Sequence, residues 1–446
     1  MPFHSSFLVR TSLITILLLT AGVTMPAQAE SLETAVEAAL NQHPSVSAAL
    51  ANRDALKETE KEAKSDFYPQ FNINATGGRV YGDNSTSRGL SVTRGAGYSW
   101  LWESGTSLSQ PLFTGFETTH RLDAAEARRI GANFNILDIR ETLGLQAVAA
   151  YIQVLQAQDA LTRQQAYATK MNDYVGRIEA MLAQGGADQS MVVQARDIKA
   201  QLDSAVIGTQ GQLRSAIAAY TQIVGHIPES TLARPVPPLD KIPASAEEAI
   251  NYARTHHPTL RQLTMKEKAG SFDIQAENGA FFPDVNSELS YLKRDIDDVI
   301  GGEATDARAV VRANWNYEVG GAQEARVRAA RHRKSEAIAQ YQQAEREIAQ
   351  QIQIAYSDRK AADEQMRIQR DRMNLNKDLL ETQQVQFEAS RVNILQLLQT
   401  ENALFNASFA LMSGEYKLLE SQYTILASMG GLQQALNLAP ATINGK

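Results

Sequence analysis

The chain has 446 residues, no cysteine, 43 basic against 50 acidic side chains and a formal net charge of −7. The acidic balance argues against a nucleic-acid partner. The lack of cysteine removes disulfides, thiolate metal sites and a cysteine-anchored lipoprotein.

Residues 1–29 carry the features of a secretory signal peptide. Arg10 supplies a positive start, Leu13 to Val23 an apolar core, and Ala27-Gln28-Ala29 a cleavage site, so the mature chain is expected to begin at Glu30 with net charge −8. The apolar run is about half of the ~20 residues that span a bilayer, which argues against a membrane anchor. No later stretch approaches a transmembrane helix. An exported chain of this kind can be periplasmic, secreted, or an outer-membrane β-barrel.

A first repeat covers residues 30–240. It opens with a short helix to residue 42, which His43-Pro44 breaks before a second helix runs to about residue 65. A strand pair follows over about 67–113. Phe71, Ile73 and Ala75 alternate with polar residues, and Tyr98, Trp100 and Trp102 place three aromatics on one face. The polar, turn-rich segment Gly82 to Gly89 joins the two. From Glu117 to Ala183 a proline-free stretch of 67 residues predicts a helix of roughly 100 Å at about 1.5 Å per residue. Ile130, Phe134, Leu137, Leu145, Val148, Ile152 and Leu155 step by threes and fours along it, with Glu141 interrupting. A turn at Gly185-Gly186 and a returning helix from about Met191 to Val224 complete a hairpin over 117–224. Pro228, Pro235, Pro237, Pro238 and Pro243 make residues 226–243 an extended connector.

Residues 244–430 repeat the pattern. At an offset of 214, Ser31 to Asn74 shares 10 identities in 44 positions with Ser245 to Glu288, including His43-Pro44 on His257-Pro258. At an offset of 205, Gly115, Arg121, Ala124, Ala125 and Arg128 fall on Gly320, Arg326, Ala329, Ala330 and Arg333, and Ala150-Tyr151 on Ala355-Tyr356. This is a tandem duplication. The second strand pair, about 281–319, carries Val285, Leu289 and Tyr291, then Val311, Ala313, Trp315 and Tyr317, in alternation. The polar segment Asp295 to Asp306 joins its strands. The second hairpin, 322–428, turns near Ser390. In its returning helix Leu397, Leu404, Leu411, Leu418 and Ile425, with Leu398, Phe405, Met412, Leu419 and Leu426, form a doubled heptad seam. A seam of this kind is structural, and the tail 431–446 is left without a role.

Other motifs have plain structural explanations. The run Arg331-His332-Arg333-Lys334 suits a solvated helix face, and His43 and His257 suit helix caps better than a metal pair. The carboxylates are scattered along helix surfaces, so the sequence offers no catalytic residue, cofactor-binding site or metal site, and it contains no P-loop. The fold class is therefore mainly α with a membrane β-barrel and an internal two-fold repeat. Four strands cannot close a barrel, whereas a homotrimer supplies twelve. Tyr98, Trp100, Trp102, Tyr291, Trp315 and Tyr317 would then form membrane-interface aromatics against outer-membrane lipid.

The ordered set of His-Pro and aromatic-Pro pairs, Leu112 to Ala125 (LFTGFETTHRLDAA), Val319 to Ala330 (VGGAQEARVRAA) and Gln386 to Phe405 (QFEASRVNILQLLQTENALF) resembles the outer-membrane efflux proteins, the TolC family. The resemblance spans about Ser31 to Gly430. It implies a trimeric duct with a twelve-stranded barrel, a coiled-coil α-helical tunnel across the periplasm and an equatorial belt. It also implies a periplasmic adaptor (membrane fusion) protein and an inner-membrane transporter as partners. The tip sequence is similar to the type I secretion branch, whose transporter is an ABC type. Small-molecule efflux with a proton-driven pump is the alternative, and a soluble periplasmic scaffold or adaptor a more distant one. In such channels two aspartates one turn apart line the entrance; here the aligned positions are Gln396 and Gln399, which implies weaker cation block and selectivity. Ser390 replaces the usual turn glycine. Gly185, Gly186, Asp188, Ser390 and Arg391 are the adaptor-contact candidates at the tips.

Overall fold

The computed structural model describes residues 29–82, 97–297, 302–316, 318–389 and 391–438. Most of the signal sequence, most of both strand-joining loops, Tyr317, Ser390 and the last eight residues lie outside them.

The elements follow the duplication. Helices α1 (Leu32–Gln42) and α2 (Pro44–Ser65) recur at equal lengths as α5 (Ala246–His256) and α6 (Pro258–Gly279). The reason is local. His43 and His257 sit in extended backbone and accept the amide of the residue two positions on, 3.2 Å from Ser45 N and 3.3 Å from Thr259 N, while proline fills the first helical position. Both imidazoles thus serve as helix caps, and among the described residues no cluster suited to a metal ion occurs.

Strands β1 (Gln70–Gly82), β2 (Gly97–Phe113), β3 (Asp284–Ile296) and β4 (Ala304–Asn314) form one antiparallel sheet in the order β1-β2-β3-β4. A register shift between Pro111 and Phe113 accommodates the proline, which has no amide to give the ladder.

Helix α3 (Glu117–Ala183) and its copy α7 (Ala322–Glu388) are both 67 residues long. Each turns back into a shorter partner, α4 (Gln189–Val224) or α8 (Ile394–Ser428). In the lower half α3 packs on α4 and α8, and α8 on α7, so the lateral order is α4-α3-α8-α7. In the upper half α3 packs on α2 and α6, and α6 on α7, giving α2-α3-α6-α7. One edge of the protomer is therefore β4 and α7, the other β1, α2 and α4. The heptad seam of α8 packs as expected: Leu397 and Leu398 join Met171 and Ile178 of α3, while Met412, Ile425 and Leu426 join the main core at mid-height.

That core forms a belt where α1 lies on the first hairpin and α5 on the second. The duplicated tyrosines fasten it. The Tyr151 hydroxyl lies 2.7 Å from the carbonyl oxygens of Glu30 and Ala233, and the Tyr356 hydroxyl donates to Pro243 O at 2.7 Å. Glu30 itself is buried: Tyr220 OH at 2.5 Å, His226 Nε2 at 2.9 Å and the Glu229 amide at 3.2 Å surround its carboxylate.

Candidate functional site

The sheet has two chemically distinct faces, because residues paired across strands share a face and neighbours along a strand do not. On one face lie Phe71, Ile73 and Tyr81 of β1, Tyr98, Trp100, Trp102 and Leu108 of β2, Leu289 and Tyr291 of β3, and Ala307, Ala309 and Val311 of β4. No helix covers it: Ile73 is 72%, Trp102 59% and Val311 68% exposed. Gly77, paired with Trp102, leaves room for the indole, since a Cβ there would lie 3.0 Å from the ring.

The opposite face is polar. Asn72, Ser107, Ser290 and Arg308 stand in one row, and Asn74, Gly105, Leu292 and Asp306 in the next. Six of its charges are matched in pairs, Arg294 with Glu103 at 2.9 Å, Arg312 with Glu288 at 3.1 Å, and Arg308 with Asp306. Alternation of bare apolar and ion-paired polar residues is the pattern of a strand with lipid on one side and water on the other. From Phe71 to Tyr81 the apolar row runs about 33 Å along the strand, or ~25 Å in height at a 40° tilt, the thickness of a barrel's apolar band.

The sequence-picked aromatics separate by height. Tyr98, Trp100 and Trp102 cluster at the loop end of β2, and Trp315 follows the last residue of β4 at the helix end, with its indole donating to Phe281 O at 3.2 Å. Tyr291 pairs with Thr106, which pairs with Ile73, in the middle of the sheet. Tyr317 lies outside the described residues.

The hairpin tips are built by backbone geometry. At the first, Gly185 has φ +74°, and the Gly186 amide donates to Met181 O at 2.8 Å, closing α3; Asp188 then precedes α4 without capping it. At the second, Arg391 N donates to Gln386 O at 2.8 Å, and Asn393 caps α8 by accepting the Gln396 amide at 2.8 Å. Gly185, Gly186, Asp188 and Arg391 are exposed, as are Gln396 and Gln399, one turn apart on α8. Ser390 lies outside the described residues.

Two features escaped sequence reasoning. Edge helix α7 leaves Ile354, Ile368 and Leu375 exposed at multiples of seven, and edge helix α4 leaves Val193 and Ile207 exposed in the same spacing. The periodicity is visible in the sequence, but only the packing shows that these stripes lack a partner. The second is Glu141, whose buried carboxylate accepts the amides of Leu432 at 3.0 Å and Gln433 at 3.2 Å. It holds the short helix α9 (Leu432–Ala435) against α3 across 291 positions of the chain.

Known proteins share this architecture. The model of the family described as outer membrane efflux protein matches residues 35–226 and 249–431. The outer membrane efflux protein BepC of Brucella suis biovar 1 (strain 1330) is 24% identical over 356 residues, which cover 78% of this chain and 75% of BepC. Crystalline CusC superposes with a TM-score of 0.77 at 17% identity, over 90% of this chain and 92% of CusC. The CmeC outer membrane channel of Campylobacter jejuni gives 0.76 at 16% identity, over 90% and 86%. The chain thus belongs to the outer membrane efflux protein family, as a non-enzymatic channel of the outer membrane with a long periplasmic helical domain.

Proposed function

We propose that three copies close head to tail into one duct, with twelve strands forming the barrel and the hairpins continuing it as a tunnel through the periplasm. The observation that carries this is the agreement of edges. A free strand edge and a free helix edge lie on the same side of the protomer, and the apolar stripes of α7 and α4 stand on opposite sides. A heterologous contact of that kind closes into a ring when the rotation between neighbours completes a circle. It pairs the backbone groups of β1 and β4, which would otherwise each cost several kcal/mol in lipid. The molar mass of the detergent-extracted protein tests it: three chain masses are expected, and Leu375→Glu on α7 is expected to give one. A wild-type protein of one chain mass would overturn the reading.

The tips then meet a periplasmic adaptor through Gly185, Gly186, Asp188, Ser390 and Arg391, and an inner-membrane transporter supplies the energy. Gln386 to Phe405 favours the type I secretion branch, with an ABC transporter exporting a protein. Deleting the gene should abolish release of that protein while leaving drug tolerance unchanged. Loss of drug tolerance alone would instead assign the channel to small-molecule efflux with a proton-driven pump.

A further inference from the structure

Among the described strands there are four arginines, and one differs from the rest. Arg294, Arg308 and Arg312 stand on the polar face, each beside a carboxylate. Arg79 stands on the apolar face, paired with Trp100 in the register. Its guanidinium carbon lies 5.7 Å from the centre of the Tyr98 ring and 5.6 Å from that of Trp100. Among the described residues no carboxylate pairs with it. Lys293, the other cation of that face, is already held by Glu303 at 3.0 Å. Trp100 stands between Arg79 and Asp297, whose amide donates to the Trp100 carbonyl at 3.0 Å.

Height explains how a bare cation is tolerated there. A lipid-facing arginine is costly at the bilayer centre and nearly free at its rim. Arg79 is three residues from the loop end of β1, next to Tyr81, whose ring lies 5.3 Å from that of Tyr98. The site therefore falls in the aromatic girdle, at the depth of the lipid headgroups on the outer side. A guanidinium held over aromatic faces keeps its N–H edge directed away from the rings. That edge matches the paired oxygens of a phosphate, and the rings reduce the freedom lost on binding.

We propose that Arg79, bracketed by Tyr98 and Trp100, binds the phosphate of an outer-leaflet lipid headgroup on the outside of the barrel. The inference rests on the reading of the apolar face as the lipid-facing one. The test is native mass spectrometry of the detergent-purified protein with lipid A, the phosphorylated glycolipid of the outer leaflet, and with dephosphorylated lipid A. Wild type is expected to retain lipid A about tenfold better than Arg79→Gln, the weight of one charge-assisted hydrogen bond. Arg79→Lys should fall between them, Arg312→Gln on the opposite face should match wild type, and excess inorganic phosphate should not displace the lipid. Equal retention by Arg79→Gln, equal binding of the dephosphorylated lipid, or displacement by inorganic phosphate would each overturn the headgroup site. Quenching of Trp100, Trp102 and Trp315 by brominated lipid separates this from the underlying reading. Quenched tryptophans with retention indifferent to Arg79 sink only the phosphate site, whereas unquenched tryptophans sink the lipid-facing assignment itself.

Discussion

The carboxylate of Glu141 sits inside the belt with Arg140 and Asp138 as its charged neighbours on α3 and Tyr252 of α5 nearby, and its chief contacts are the amides of α9. Burial is the largest influence and raises its pKa from 4.5 to about 7, against the lowering effect of the Gln433 and Leu432 hydrogen bonds. Between those values the folded chain keeps a proton that the unfolded chain has released. Stability therefore falls as pH rises through that window, by an amount on the order of 3 kcal/mol at 1.36 kcal/mol per unit. Glu141→Gln removes the charge and keeps one oxygen for an amide, where the carboxylate offers one oxygen to each. Its melting temperature relative to wild type is expected to rise between pH 5 and pH 8; a difference that stays constant across that range would show that Glu141 does not change its charge there. In the sequence Glu141 was legible only as a break in an apolar stripe. The group it caps lies 291 positions away, and no local pattern announces a contact at that range.

At the scale of elements, the sequence was informative wherever the cause is local. Helix lengths were bracketed by prolines and glycines, and the His-Pro caps and strand alternation are properties of neighbouring residues. Lateral order was not legible, because a hairpin can present either arm to the next one and only long-range packing decides. The junction between β2 and α3 shows the difference. Gly115 stands out in the sequence through its repeat partner Gly320, yet its need for glycine is tertiary. Its φ is +62°, and a Cβ would lie 2.2 Å from the carbonyl oxygen of Gly279 at the end of α6. Gly115→Ala must push two backbones apart and is expected to abolish folded, membrane-inserted protein. Gly185→Ala has a comparable φ of +74° but nothing within 4 Å, so it should cost only about 1 kcal/mol. Fractionation and thermal melts of the two variants check the contrast; equal effects would mean that backbone handedness alone, and not contact between the repeats, sets the requirement.

In the proposed trimeric duct each tip residue would appear three times, so small differences in charge would be multiplied. Placed at the entrance, Gln396 and Gln399 would leave it without a carboxylate ring at those positions, and the polar face of the sheet adds ion pairs that cancel. Single-channel recordings of wild type are expected to show weak cation selectivity and weak block by divalent cations, whereas Gln396→Asp with Gln399→Asp, six new charges in a trimer, should raise both. Strong divalent block in wild type would remove the glutamines from the pore entrance. The tip was read from resemblance, and the apolar and polar faces of the sheet from alternation. Closure of the proposed ring depends on surfaces that would meet only in an assembly, and one chain's sequence names the stripes without naming their mates.

The two long helices begin and end at the same offset of 205 residues, Glu117 to Ala322 and Ala183 to Glu388. They act as a matched pair of rulers hung from one belt. An insertion in only one of them would lower a single tip of each protomer and tilt the rim. An insertion that was not a whole number of heptads would also rotate the stripes away from their neighbours. Length change in such a molecule is therefore confined to paired, seven-residue steps, and the duplication that created the second hairpin also bound its length to that of the first.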